Sequence, residues 1–133
     1  MVEPAPPHKL SIVVFSGDFE RVHYALVMAS AAAAIGRKAT LFFTMEASRA
    51  LLKPGPSGAG GGKDRAYIES GVAGFEELLV SCAALGVRFM VCEMGLRALN
   101  IKRRELRDDL GIEEGGVVTF LNDASATGSM VFI

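Results

Sequence analysis

The sequence predicts an α/β protein, a three-layer sandwich around a four- or five-stranded, mainly parallel sheet. Three observations carry this. Short β-branched apolar runs do not alternate with polar residues, as in strands buried on both faces. Stretches with apolar residues at helical spacing separate them, and glycines stand at the junctions. At 133 residues the chain makes one domain. A chain of that size buries roughly two-thirds of the surface its unfolded form exposes, enough for a core without staples.

Leu10-Ser-Ile-Val-Val-Phe15 is the first strand, broken by Ser16-Gly17-Asp18. Asp18 is placed to cap a helix from Phe19 to Ile35, closed by Gly36, with Val22, Leu26, Ala29 and Ala33 on one face. Lys38 to Phe43 reads as a second strand and Met45 to Leu52 as a short helix. Gly71 to Leu85 reads as an amphipathic helix that carries Val72, Phe75, Leu78, Leu79 and Cys82 on its apolar side. Val87 to Cys92 is a third strand, Met94 to Leu99 a short helix, and Asn100 a stop that tolerates left-handed backbone. Val117 to Leu121 suits either a strand or a helix. The chain closes on a strand, Met130 to Ile133, and a parallel strand there needs a crossover, so residues 116–126 are taken as helix.

Two segments stand outside this alternation. Residues 1–8 form a Pro-rich tail, without the charged and apolar regions of a leader. Residues 54–64 hold five of the fifteen glycines and read as a mobile surface loop. A phosphate-loop reading fails there, because Ser57 and Asp64 occupy the places of its first glycine and its Ser/Thr.

Composition narrows the function. Half the residues are apolar, 22% are charged, the net charge is −1 and the mean hydropathy is +0.34. A nucleic-acid partner is not expected, since phosphate binding needs a basic face. The longest nearly uncharged stretch, Val22 to Ile35, is too short to span a bilayer, so no membrane association is expected either. Two cysteines and no leader suggest a reducing cytoplasm. The apolar excess in so small a chain suggests a homo-oligomer.

Open parallel sheets gather reactive groups at the carboxyl ends of their strands, here Ser16-Gly17, Thr44, Cys92 and the chain terminus. Cys92 alone has intrinsic reactivity. It precedes a short helix whose dipole would favour the thiolate; Glu93 opposes that effect and Arg97 offsets it. The same position also suits a small buried hydrophobe. Cys82 and Cys92 lie about 14 Å apart along the helix and strand, too far for a disulfide, and Cys82 reads as core. His23, one turn into its helix, is expected to be a packing or surface residue. With two His and two Cys widely spread, no metal site is expected, and no organic cofactor either.

Three segments together resemble the DsrE/DsrF-like family. They are Ile12-Val-Val-Phe-Ser-Gly17 with its Ala-rich helix, Leu85-Gly-Val-Arg-Phe-Met-Val-Cys-Glu-Met-Gly-Leu-Arg97, and the closing helix with its Phe-containing strand. The resemblance spans nearly the whole chain, and the Cys-centred segment is its specific part. It implies a sulfur-relay function (sulfurtransferase or persulfide carrier), with Cys92 as the cysteine that accepts sulfane sulfur and passes it to a partner protein. It further implies a trimer or hexamer. Glu93 and Met94 depart from the small residues usual after that cysteine, and 54–64 has no counterpart.

The alternative is a non-catalytic oligomeric module that binds a small molecule or nucleotide at the strand ends, with Ser16 and Gly17 as donors. A flavin site fits less well, because the first turn is short and poor in Ser and Thr.

Overall fold

The computed structural model describes residues 8–53 and 62–133. Five strands form one sheet: β1 Leu10–Val14, β2 Ala39–Phe43, β3 Arg88–Cys92, β4 Glu113–Gly115 and β5 Ser129–Phe132. Every pairing is parallel, in the spatial order β4-β3-β2-β1-β5. The helices are α1 Phe19–Ala34, α2 Gly62–Glu69, α3 Phe75–Ala84, α4 Glu93–Ala98 and α5 Val117–Asp123. Two 3-10 segments, Met45–Leu51 and Arg103–Glu105, complete the regular structure.

The order of the strands decides where the helices go. From β1 to β4 the chain always advances toward the same edge, and right-handed crossovers then place every connection on one face. The return from β4 to β5 runs the opposite way and must cross the other face. One face is accordingly deep. Ile12, Val14, Leu41, Phe43, Phe89 and Val91 pack there against Leu26 and Ala29 of α1 and Leu79 and Cys82 of α3. The other face is thin. Its buried cluster is Phe42, Met90, Cys92 and Phe120, with Val13 against it, and α5 is the helix that supplies Phe120. The sandwich is three-layered, with one layer reduced to a single short helix.

Asp18 caps α1 as expected, its carboxylate accepting from the Arg21 amide at 3.3 Å. Asn100 is left-handed, at φ 53°. Four details differ from the sequence reading. Met45–Leu51 is a 3-10 segment. The third helix begins at Phe75 and not Gly71, because Gly71 turns at φ +82° and the chain must climb back before α3. The α3 N-cap, Gly74, has no side chain; Asp64 supplies the acceptor instead, taking the Phe75 amide at 2.8 Å. Asp64 thus belongs to α2, and 62–64 are helical where a loop was expected. The remainder of that segment, 54–61, and the tail 1–7 lie outside the described residues. The fourth difference is β4, an edge strand of sequence Glu-Glu-Gly that no apolar pattern marks.

At the amino ends of the strands one carboxylate closes the thin layer. Asp123, at the end of α5, accepts from Lys9 Nζ at 2.5 Å and Thr40 Oγ1 at 2.6 Å, and pairs with Arg88. Arg88 also bonds Glu113 of β4 at 2.6 Å. One side chain therefore ties the residue before β1, the starts of β2 and β3, and α5. On the deep face Arg107, almost fully buried, bonds Asp109 at 3.0 and 2.8 Å and Glu76 of α3 at 2.5 Å. That pairing draws the charged run 102–109 onto the core.

Burial raises the Asp123 carboxyl, but hydrogen bonds from Lys9, Thr40 and Arg88, with the Lys9 charge, outweigh it and hold its pKa below the usual carboxylate value. The stability this contributes is present above about pH 4 and lost as pH falls through the lowered native pKa. Asp123→Asn is expected to lower unfolding stability by roughly 1–3 kcal/mol at pH 7. Urea titrations from pH 7 to pH 2.5 should show the difference from wild type shrinking below pH 4.

Candidate functional site

Adjacent parallel strands whose onward connections leave to opposite faces open a crevice at their carboxyl ends. Here those strands are β3 and β4. The chain leaves β3 into α4 on the deep face and leaves β4 into α5 on the thin face. Cys92 is the last residue of β3, paired in register with Gly115, the last residue of β4. Its side chain lies on the thin face with Phe42, Met90 and Phe120 and is 5% exposed. The predicted nucleophile thus sits at the topological switch of the sheet, but covered.

Two glycines lie in the segments beside it, and one of them is required by packing. Gly95 of α4 packs so closely on the start of the 3-10 segment that a Cβ there would lie 2.6 Å from the Met45 amide nitrogen. Met45 itself is left-handed, at φ 48°. Gly95 thereby sets the path of the helix that leaves Cys92. On the other strand, a Cβ at Gly115 would meet Thr119 of α5 at 3.5 Å, an ordinary packing distance. Beside the crevice, on the α4 side, a recess of about 300 Å³ is lined by Glu93, Arg97, Asn100, Lys102, Arg103 and Glu114. The recess carries both signs of charge, and Cys92 is not part of its wall.

Cys82 is a core residue. It is fully buried, its thiol donates to the Leu26 carbonyl at 3.5 Å, and burial pushes its pKa up to about 12. So little thiolate at neutral pH makes it a poor nucleophile. His23 is also a packing residue: Nε2 donates to the Ala73 carbonyl at 2.8 Å, and the ring meets Phe19 and Tyr67.

Ser16 and Gly17 stand elsewhere. They follow β1, and β2 lies between them and Cys92, so they do not share its crevice. The Ser16 hydroxyl accepts from the Asp18 amide at 3.1 Å, a local turn bond. Gly17 faces Glu46, whose Cβ would be 2.8 Å from a Cβ at Gly17, which gives the glycine a packing reason. An open cleft of about 950 Å³ lies past this turn, with Asp18, Arg21, His23, Tyr24 and Tyr67 in its wall. Among the described residues no three His, Cys, Asp or Glu side chains are grouped to hold a metal ion, and no helix is long and apolar enough to cross a membrane. No strand is expected from the sequence at 113–115, yet Gly115 ends β4 and Gly116 stands at the start of α5.

A five-stranded all-parallel sheet with helices on both faces defines a small three-layer α/β protein. The DsrE/DsrF-like family matches residues 8–127, and the chain belongs to that family. Two solved structures share the fold. The YchN protein from E. coli is similar at 18% identity and a TM-score of 0.64, over 94% of this chain and 97% of that one. A protein of unknown function from Methanobacterium thermoautotrophicum, MTH1491, is similar at 15% identity and a TM-score of 0.67, over 95% and 99%. No curated protein matches the chain.

The contact at Gly95 has a measurable consequence. Gly95→Ala is expected to cost about 1–3 kcal/mol, as overpacking of a close backbone contact does, and urea unfolding measures it. Gly116→Ala, whose Cβ would meet no atom within 4 Å, should change stability by less than about 0.5 kcal/mol, because the gain from a stiffer unfolded chain is offset by alanine's weaker N-cap.

Proposed function

We propose that the protein is a sulfur-relay protein in which Cys92 carries sulfane sulfur. The observation that carries this reading is the position of Cys92 at the carboxyl end of β3, facing the β3–β4 switch of a DsrE/DsrF-like fold. The Cys92 thiolate attacks the outer sulfur of a donor persulfide, R–S–SH. A Cys92 S–S bond forms as the donor S–S bond breaks, and the donor leaves as R–S⁻. Delivery to an acceptor cysteine is the same exchange run once more, so no oxidant is consumed. Cys82, with its pKa near 12, does not compete.

The protein acts as a homo-oligomer in this reading, with a trimer or hexamer favoured by its family resemblance. Phe15 and Phe132 lie with ring centroids 5.4 Å apart and tilted by 30°, with 46% and 68% of their surfaces exposed, and Met130 of β5 is also exposed. So large an apolar surface on a small domain is best buried against further copies. A second reading, a binding module without transfer chemistry, is favoured by the covered state of Cys92 and by the open cleft past the first turn.

Incubation with a polysulfide should add about 32 Da, one sulfur, to the intact mass, and a dithiol reductant should remove it. Cys92→Ser abolishes the shift and Cys82→Ala retains it. Absence of labile sulfur, or its appearance on Cys82, would transfer support to the binding module.

Sedimentation should give at least twice 14.1 kDa, and Phe132→Glu should lower the assembly state. A wild-type monomer at micromolar concentration would sink the oligomer.

A further inference from the structure

The relay reading asks for an accessible sulfur, whereas Cys92 is 95% covered. The cover on the deep face is the main core and cannot part without unfolding. The cover on the thin face is different in kind. Of the seven residues of α5 only Phe120 is buried; Val117, Val118, Thr119, Leu121 and Asn122 are all exposed. The helix has no side-chain cap at its start. Its two attachments are the Phe120 ring, stacked on Phe42 at 4.8 Å and 15°, and the Asp123 carboxylate with Lys9, Thr40 and Arg88. It is flanked by Gly115-Gly116 on one side and by the turn ending at Gly128 on the other, and Gly116 touches nothing a side chain would meet. Segments with few buried contacts open locally at free energies far below that of global unfolding. Glycines supply the backbone freedom such an opening needs.

We propose that α5 is a hinged lid over Cys92: it turns at Gly115-Gly116, is held shut by Phe120 and Asp123, and exposes the sulfur when it lifts. Its role in sulfur transfer rests on the relay reading; the motion itself does not. When α5 lifts, the Phe42–Met90–Cys92 side of the small cluster is uncovered, while the deep core with Cys82 stays closed. The two cysteines therefore report two different openings of the same chain.

The test is alkylation of the full-length protein with iodoacetamide at neutral pH, read at each cysteine by peptide mass mapping. Because burial raises the Cys82 pKa as well as covering its sulfur, the variants decide and not the wild-type ratio. Asp123→Asn and Phe120→Ala should each raise the Cys92 rate on the order of tenfold and leave the Cys82 rate unchanged. Gly116→Ala, which stiffens the hinge without a clash, should lower the Cys92 rate by about two- to fivefold. If Phe120→Ala proves unfolded by circular dichroism, the other two variants still decide. Parallel changes at both cysteines, or a Cys92 rate that follows only urea-induced global unfolding, would overturn the lid. Uptake of polysulfide sulfur separates the two ideas. A lid that opens with no labile sulfur on Cys92 would overturn the relay alone, and sulfur uptake at a rate indifferent to all three variants would overturn the lid alone.

Discussion

The handedness of parallel crossovers is the constraint on which the rest of this structure depends. Four strands laid down in one direction commit α1, α3 and α4 to a single face, and the chain can reach β5 only by returning across the other. The asymmetry of the two faces follows. The deep face has the bulk of the apolar side chains and the buried Arg107 pairing. The thin face has one short helix, one carboxylate knot and a four-residue cluster.

Both cysteines are buried, yet the asymmetry gives them different chemistry. Cys82 faces inward from α3 among aliphatic neighbours, where nothing stabilises a thiolate. Cys92 ends a strand beneath the thin layer, next to the point where the connections diverge. Burial alone would have ranked the two residues together; the depth and composition of what covers each one separates them. The same thin layer leaves Phe15, Phe132 and Met130 exposed, so the exposed apolar surface and the cover of the sulfur belong to one face of one sheet.

Similarity to YchN and MTH1491 at below one-fifth identity reaches nearly the whole length of each chain. What persists at that distance is a fold, and fold does not by itself decide activity. The family membership and the placement of a cysteine at the switch point are separate lines of support for the proposed chemistry, one from sequence similarity and one from geometry.

Much of this was legible in the sequence by itself. The non-alternating runs at 10–15, 38–43 and 87–92 demand burial on both sides, which only a parallel sheet between helices supplies. The Asp18 cap, the Gly36 stop and the final strand follow from local stereochemistry, and the ambiguous 117–121 resolved as helix because a parallel ending requires a crossover. The position of Cys92 at a strand end was legible for the same reason. What tertiary structure alone decided are the features that depend on partners distant in sequence. Edge strand β4 has no apolar period and exists because β3 offers it a hydrogen-bonding edge. Gly74 leaves the Phe75 amide to be capped by Asp64, eleven residues earlier, and Asp123 finds Lys9, Thr40 and Arg88 across 114, 83 and 35 residues of chain. The cover on Cys92 is of this kind: whether a strand-end thiol meets solvent depends on which face the last crossover takes, and no window of local sequence contains that choice.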